Sequence, residues 1–293
     1  MMLLRKYSLI LFFLILLLGA VILGPLLYFG LALTVPVPFH RAMDRALLIS
    51  AVAAMALFWS RISLEKLWPW NHDAWKHLLF GYAMAAVTMQ AMIGFNLALS
   101  GFTMAHLTGQ QIMGRLWIAL VAAILIPPLE ETVFRGFIQG ELVRSLGWRW
   151  GWFVAAFIFM LAHFLKVPVE LDHEPVHWWS GAGALGAAFM PLVNGTFFCG
   201  RGLNLFLIGL IFGGIFLRAG SLWLNAGLHS GWIFGLLFFT GLTRALEPPR
   251  VAFFAGDILS SWSTTVVLIL SGIWLWLFYR PPWIVPETGA NAP

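Results

Sequence analysis

From residue 7 to residue 35 the chain runs without a single charged side chain, and stretches of the same kind recur to its end. Few folds are open to such a run. In a bilayer every backbone N–H and C=O must be satisfied within the segment, which an α-helix achieves and an open strand does not. The run is too long for the apolar region of a secretory signal, and no small-residue cleavage site closes it. It therefore reads as a retained first helix, with Pro25 as a kink position. Hydrophobic residues make up 61% of the chain and charged residues 10%, against about a quarter charged in soluble domains. Segments of helical length, rather than ten-residue alternating ones, rule out an outer-membrane barrel. The expected fold is all-α: a polytopic integral membrane helical bundle of about eight transmembrane helices.

The expected spans are residues 7–35, 46–60, 77–99, 115–146, 150–164, 203–217, 222–240 and 261–279, with residues 100–113 as a loop. Asp44 and Arg45 stand just ahead of the second span. Residues 165–182 are the most polar part of the chain, and residues 181–201, rich in Gly and Ala, suit a short re-entrant or interfacial helix. A link with Arg244, Glu247 and Arg250 leads to the last span, and the tail from Arg280 reads as disordered. Eight spans put both ends on one side. A small excess of Lys and Arg then favours a cytoplasmic N-terminus and a cytoplasmic turn at Gly147-Trp148-Arg149. The net charge of +5 does not point to nucleic acid, because the basic residues are scattered over loop ends and form no stripe. The one cysteine, Cys199, excludes an internal disulfide and reads as a buried, inert thiol.

One stretch breaks the apolar rule: Pro127-Pro128-Leu129-Glu130-Glu131-Thr132-Val133-Phe134-Arg135-Gly136-Phe137. Ionisable groups at membrane depth are costly and mark functional sites by default. The two prolines are expected to interrupt the helix ladder here. Glu131 and Arg135, four apart, share a helix face and can pair, as a structural clamp or as part of a site. Glu130 points about 100° away from Glu131, so the two carboxylates should do different jobs. One is held by Arg135 or other donors; the other can face a cavity as a general base. Glu131 precedes Gly147 by as many residues as His163 follows it. A hairpin at Gly147 would bring the two to one height, roughly 24 Å from the turn. His229 lies in the apolar seventh span, one turn after Asn225. A carboxylate with two histidines suits water activation, and the same ligand types permit zinc; metal participation is open. His173 and His177 among loop acids read as a solvated face.

These residues carry a resemblance. Glu130-Glu131-Thr132-Val133-Phe134-Arg135 matches EExxxR, and Phe159-Met160-Leu161-Ala162-His163 matches FxxxH, of the CAAX-processing and bacteriocin-processing (CPBP, or Abi) family of intramembrane proteases. The segment around Asn225 and His229 resembles that family's third motif, HxxxN or HxxxD. The resemblance spans about residues 115–240. It implies three regions: N-terminal helices 1–3 in residues 1–114, a catalytic core in 115–240, and a C-terminal helix and tail in 241–293. It implies hydrolysis of a peptide bond by water activated at Glu130, with His163 helping and His229 stabilising the oxyanion or moving a proton. Glu131 and Arg135 would support the site. The chain departs from the pattern at Ile233, where an Asn or Asp is expected, and Asn225 is the nearest amide that could substitute.

The implied partners are a membrane-associated or lipidated peptide and the lipid bilayer, with no nucleic acid. The expected location is the bacterial inner (cytoplasmic) membrane. Two other classes stand beside the protease: a non-catalytic immunity or scaffold protein of the same family, and a proton-coupled transporter using the Glu and His residues as a relay. The absence of an internal repeat counts against the transporter.

Overall fold

The structure, a computed structural model, describes residues 7–33, 37–58, 62–99, 101–246 and 257–279. The described residues are all-α apart from two three-residue strands. In chain order come α1 (Ser8–Ala32), α2 (Phe39–Leu57), the single turn α3 (Leu64–Leu67), α4 (Ala74–Leu99), β1 (Phe102–Met104) and α5 (Gly109–Glu131). A π-helical segment (Thr132–Gln139) leads into α6 (Gly140–Ala162). A 3₁₀ turn (Val169–His173), α7 (Ser180–Val193), α8 (Gly200–Ala219), α9 (Trp223–Leu242), β2 (Thr243–Ala245) and α10 (Trp262–Phe278) follow. Among the described residues, four apolar runs are long enough to cross a membrane: α1, α4, α8 and the stretch Gly109–Ala162. The last folds back on itself at Gly147, whose φ of 78° and ψ of 164° are open essentially to glycine alone.

Several expectations change in detail. The second helix starts at Phe39, not residue 46, so Asp44 and Arg45 lie within it. The fourth expected span starts at Gly109. Thr108 caps it: its hydroxyl accepts from Gln111 N, and the Gln111 side chain accepts from Thr108 N, a capping box that the sequence already spells. The expected loop before it contains β1, which pairs antiparallel with β2. Pro127 and Pro128 do not break the helix. They remove the N–H groups that would bond one turn back, but the helix continues, and the ladder widens only downstream, over Thr132–Gln139. Such π segments concentrate at functional sites. Cys199 is exposed, because it sits outside the first turn of α8 in extended backbone. The tail from Arg280, and Glu247 and Arg250 of the link, lie outside the described residues.

The chain forms two compact units. The first comprises Met1–Ser63 and Leu161–Phe197. Here α1 packs on α2 and α7, and Phe39, Met43, Val167, Ala184 and Ala188 form the core. Asp172 ties the 3₁₀ turn to the start of α2. Its carboxylate accepts from His40 N at 2.9 Å and from His40 Nδ1 at 2.5 Å. Burial works to raise the Asp172 pKa, but these hydrogen bonds outweigh it and hold the carboxyl below the usual carboxylate range.

The second unit comprises Leu64–Met160 and Phe198–Pro293. α9 is its centre, packed along α4 and across α5. Its core joins Met89 and Met92 of α4, Phe212 of α8, Leu224, Leu228 and Trp232 of α9, and Leu268 of α10. α4 and α9 approach closely enough that a Cβ on Gly227 would lie 2.0 Å from the Leu78 carbonyl oxygen, and one on Gly81 2.4 Å from that of Leu224. Small residues at such contacts let membrane helices pack backbone to backbone. This contact sets the depth and rotation of the helix that carries Asn225 and His229.

Candidate active site

Pro127 and Pro128 bring the chain to Glu130 and Glu131 at the end of α5, just where the helix widens. Thr132 closes the junction. Its hydroxyl donates to the Pro128 carbonyl at 2.6 Å and accepts from Trp68 Nε1 at 3.1 Å. The turn α3 is in turn held by α9, since Leu222 N donates to Leu67 O at 2.8 Å and Trp223 Nε1 to Pro69 O at 3.0 Å. The glutamate segment and the start of α9 thus share one anchor.

Glu131 is fully buried, and both of its oxygens are engaged. Oε1 accepts from His229 Nδ1 at 2.9 Å. Oε2 accepts from Asn225 Nδ2 at 3.0 Å and lies 3.4 Å from Arg135 Nε. The Asn225 amide also donates to the Phe212 carbonyl at 2.9 Å. Its two N–H donors are therefore taken, one by Glu131 and one by the Phe212 carbonyl.

Glu130 differs. Its side chain is 31% exposed, its Oε2 atom is buried, and that atom lies 3.8 Å from His229 Nε2. A proton on Nδ1, donated to Glu131, leaves Nε2 as the ring nitrogen that faces Glu130. The distance is too long for a direct hydrogen bond but short enough for one water to bond both groups, each leg about 2.8 Å.

Arg135 is 2% exposed. Its guanidinium carbon lies 4.4 Å from the Phe159 ring centroid and 5.0 Å from that of Phe212. Phe134 and Phe159 also meet, at 5.1 Å between centroids. They lie at nearly equal sequence distances on either side of Gly147, so the hairpin expected at that turn is present as far as Phe159. His163 follows the last residue of α6 and belongs to the first unit, whereas Glu130, Glu131, Arg135, Asn225 and His229 all belong to the second. Ile233 stands on α9 one turn beyond His229, half-buried. His177 is exposed and stacks on Trp179.

Zinc takes three or four protein donors in its usual sites. Among the described residues no three His, Cys, Asp or Glu side chains are grouped to hold a metal, and Glu131 has no oxygen to spare. Glu130 and His229 alone fall short of that number.

Two contributors escaped the sequence reading. Trp68 and Phe212 sit in apolar or loop sequence with no polar spacing to flag them, and only their packing reveals them. Residues 112–235 match the family model described as type II CAAX prenyl endopeptidase, Rce1-like. The matched span holds every site residue named above except Trp68. No curated protein matches the chain.

Proposed function

We propose, from the match of residues 112–235 to the Rce1-like model of type II CAAX prenyl endopeptidases, that this membrane protein is an intramembrane endopeptidase in which Glu130 and His229 activate water. The observation that carries the reading is the line from buried Glu131 through the His229 ring to Glu130, with spacings of 2.9 Å and 3.8 Å. Glu131 orients the imidazole, and the far nitrogen and Glu130 converge on one water.

In the proposed reaction Glu130 takes a proton from that water as its oxygen attacks the scissile carbonyl carbon. The tetrahedral intermediate carries its charge on the former carbonyl oxygen, where His229 acts as donor when protonated. The C–N bond breaks as Glu130 returns its proton to the leaving amine, giving one carboxylic acid and one amine. His163 assists in polarising the water, a role implied by the FxxxH motif. Asn225 and Arg135 hold Glu131. The substrate is a membrane-associated or lipidated peptide, and the bacterial inner membrane is the proposed location.

The test uses full-length protein in detergent with a fluorogenic peptide ending in a CAAX sequence, supplied in prenylated and plain forms. Glu130→Gln and His229→Asn are run in parallel. Cleavage by the unaltered protein, lost in both variants, is expected. Cleavage no faster than that of Glu130→Gln would overturn the reading. A second reading, a non-catalytic immunity or scaffold protein, is favoured by one feature: the aliphatic Ile233 where the family pattern has an amide or acid.

A further inference from the structure

Phe212 belongs to none of the three motifs, yet it touches three of the site's polar side chains. It lies within α8, fully buried. Its ring is tilted 37° to the His229 imidazole, with centroids 4.9 Å apart. The same ring lies 5.0 Å from the Arg135 guanidinium carbon. Its backbone carbonyl receives the Asn225 amide. Trp232 packs against it with centroids 5.3 Å apart, so the ring has little freedom to move.

α8 is tied in place beside the hairpin. Gln139 Nε2 donates to Gly213 O at 3.0 Å, and Trp152 Nε1 donates to Leu210 O at 2.8 Å. Gly213 makes this possible, since a Cβ there would lie 2.6 Å from Trp152 Cδ1 and 2.8 Å from Gln139 Oε1.

The physical problem that Phe212 addresses is the buried guanidinium. Arg135 reaches Glu131 through Nε, but neither Nη1 nor Nη2 has a hydrogen-bond partner among the described residues. A desolvated cation short of acceptors gains most from aromatic faces, whose quadrupole is negative towards it. Phe212 and Phe159 supply two such faces, and Phe212 presents its ring to His229 as well.

We propose that Phe212 is a positioning residue of the hydrolytic site. Its ring holds the His229 imidazole with Nδ1 on Glu131 and Nε2 towards Glu130, and it compensates the charge of Arg135, which anchors Glu131. The contact to Asn225 is made by the backbone and survives any side-chain change. Substitution at this position therefore reports on the ring alone.

The decisive variant is Phe212→pentafluorophenylalanine, introduced by nonsense suppression, which keeps the ring's shape and inverts its quadrupole. Phe212→Tyr, which keeps the face, serves as the conservative rescue, and Phe212→Leu removes the face. Two readouts are taken on full-length protein in detergent: kcat and KM for the lipidated peptide, and the ¹⁵N imidazole resonances of His229, assigned with His229→Asn. The unaltered protein should show one tautomer, with the proton on Nδ1. The pentafluoro variant should show a mixed or altered pattern and lose about ten-fold in kcat with KM unchanged. Phe212→Tyr should match the unaltered protein.

The kcat arm rests on the hydrolase reading above; the NMR arm does not. If the unaltered protein cleaves nothing, an altered His229 pattern in the pentafluoro variant still upholds the positioning role. An unchanged pattern in that variant overturns the proposal, whatever the rate does.

Discussion

The two adjacent glutamates should separate cleanly under the same conservative change. Glu131→Gln keeps the shape of a fully buried side chain but removes the charge that faces Arg135 Nε at 3.4 Å. It also sets an amide against a partner set that consists entirely of donors: His229 Nδ1 and Asn225 Nδ2 on the carboxylate oxygens, and the guanidinium. Whichever way the Gln amide turns, its NH₂ group meets a donor. Breaking a buried ion pair by removing one partner costs about 3–5 kcal/mol, a large share of a total stability of about 5–15 kcal/mol.

Glu130→Gln removes a partly exposed carboxylate that lies 3.8 Å from the His229 ring. It should shift stability by no more than about 0.5 kcal/mol and reduce cleavage by about 10²–10⁴-fold, the usual contribution of a general base. Unfolding in detergent under a denaturant titration, followed by Trp fluorescence, measures the first quantity, and peptide cleavage measures the second. Replacing both Glu131 and Arg135 with Leu should cost less than the sum of the two single changes, because the double variant leaves no unpaired charge. An unfolding midpoint for Glu131→Gln equal to that of the unaltered protein, or a larger loss in Glu130→Gln, would refute the division of roles.

Three further outcomes follow from the same geometry. Ile233→Asn restores an amide one turn beyond His229; if a donor for the developing oxyanion is missing there, kcat for peptide cleavage should rise by up to about 10²-fold, and an unchanged kcat would place that donor elsewhere. Gly227→Ala puts a Cβ 2.0 Å from the Leu78 carbonyl oxygen, so α4 and α9 must part; a loss of about 1–3 kcal/mol in unfolding stability is expected, with reduced cleavage as His229 shifts. Asp172 has a folded-state pKa below its unfolded value, so the unfolded chain binds more protons at low pH; its stabilising contribution is complete above about pH 4 and is lost as pH falls through the folded value. Asp172→Asn should therefore lower stability by about 1–2 kcal/mol near neutral pH and flatten the acid limb of a stability–pH curve, which thermal unfolding across pH would register.

The amino-acid sequence determined, by itself, that this chain is helical and lives in a membrane, because long charge-free runs leave the backbone no other way to bond itself. It also singled out Glu130, Glu131, Arg135 and His229, because polar groups in such runs are conspicuous, and the turn at Gly147, because the residues there break the run. The start of α5 was misread at residue 115, although the capping box of Thr108 and Gln111 sets it at Gly109.

What the sequence left open depends on contacts between segments far apart in the chain. That α5 passes through two prolines and widens only afterwards is decided by what surrounds it: Trp68 on Thr132, and the ion pair at Arg135. That Asn225 braces Glu131 depends on how α9 is rotated, and the Gly227–Leu78 contact sets that rotation. Phe212 had no signature at all, being one phenylalanine among 26. Its importance comes only from α8 being fastened beside the hairpin, where one ring meets both an imidazole and a guanidinium. Sequence spacing reports neighbours on one helix, whereas the different surroundings of two adjacent carboxylates follow from which neighbouring helix each one faces.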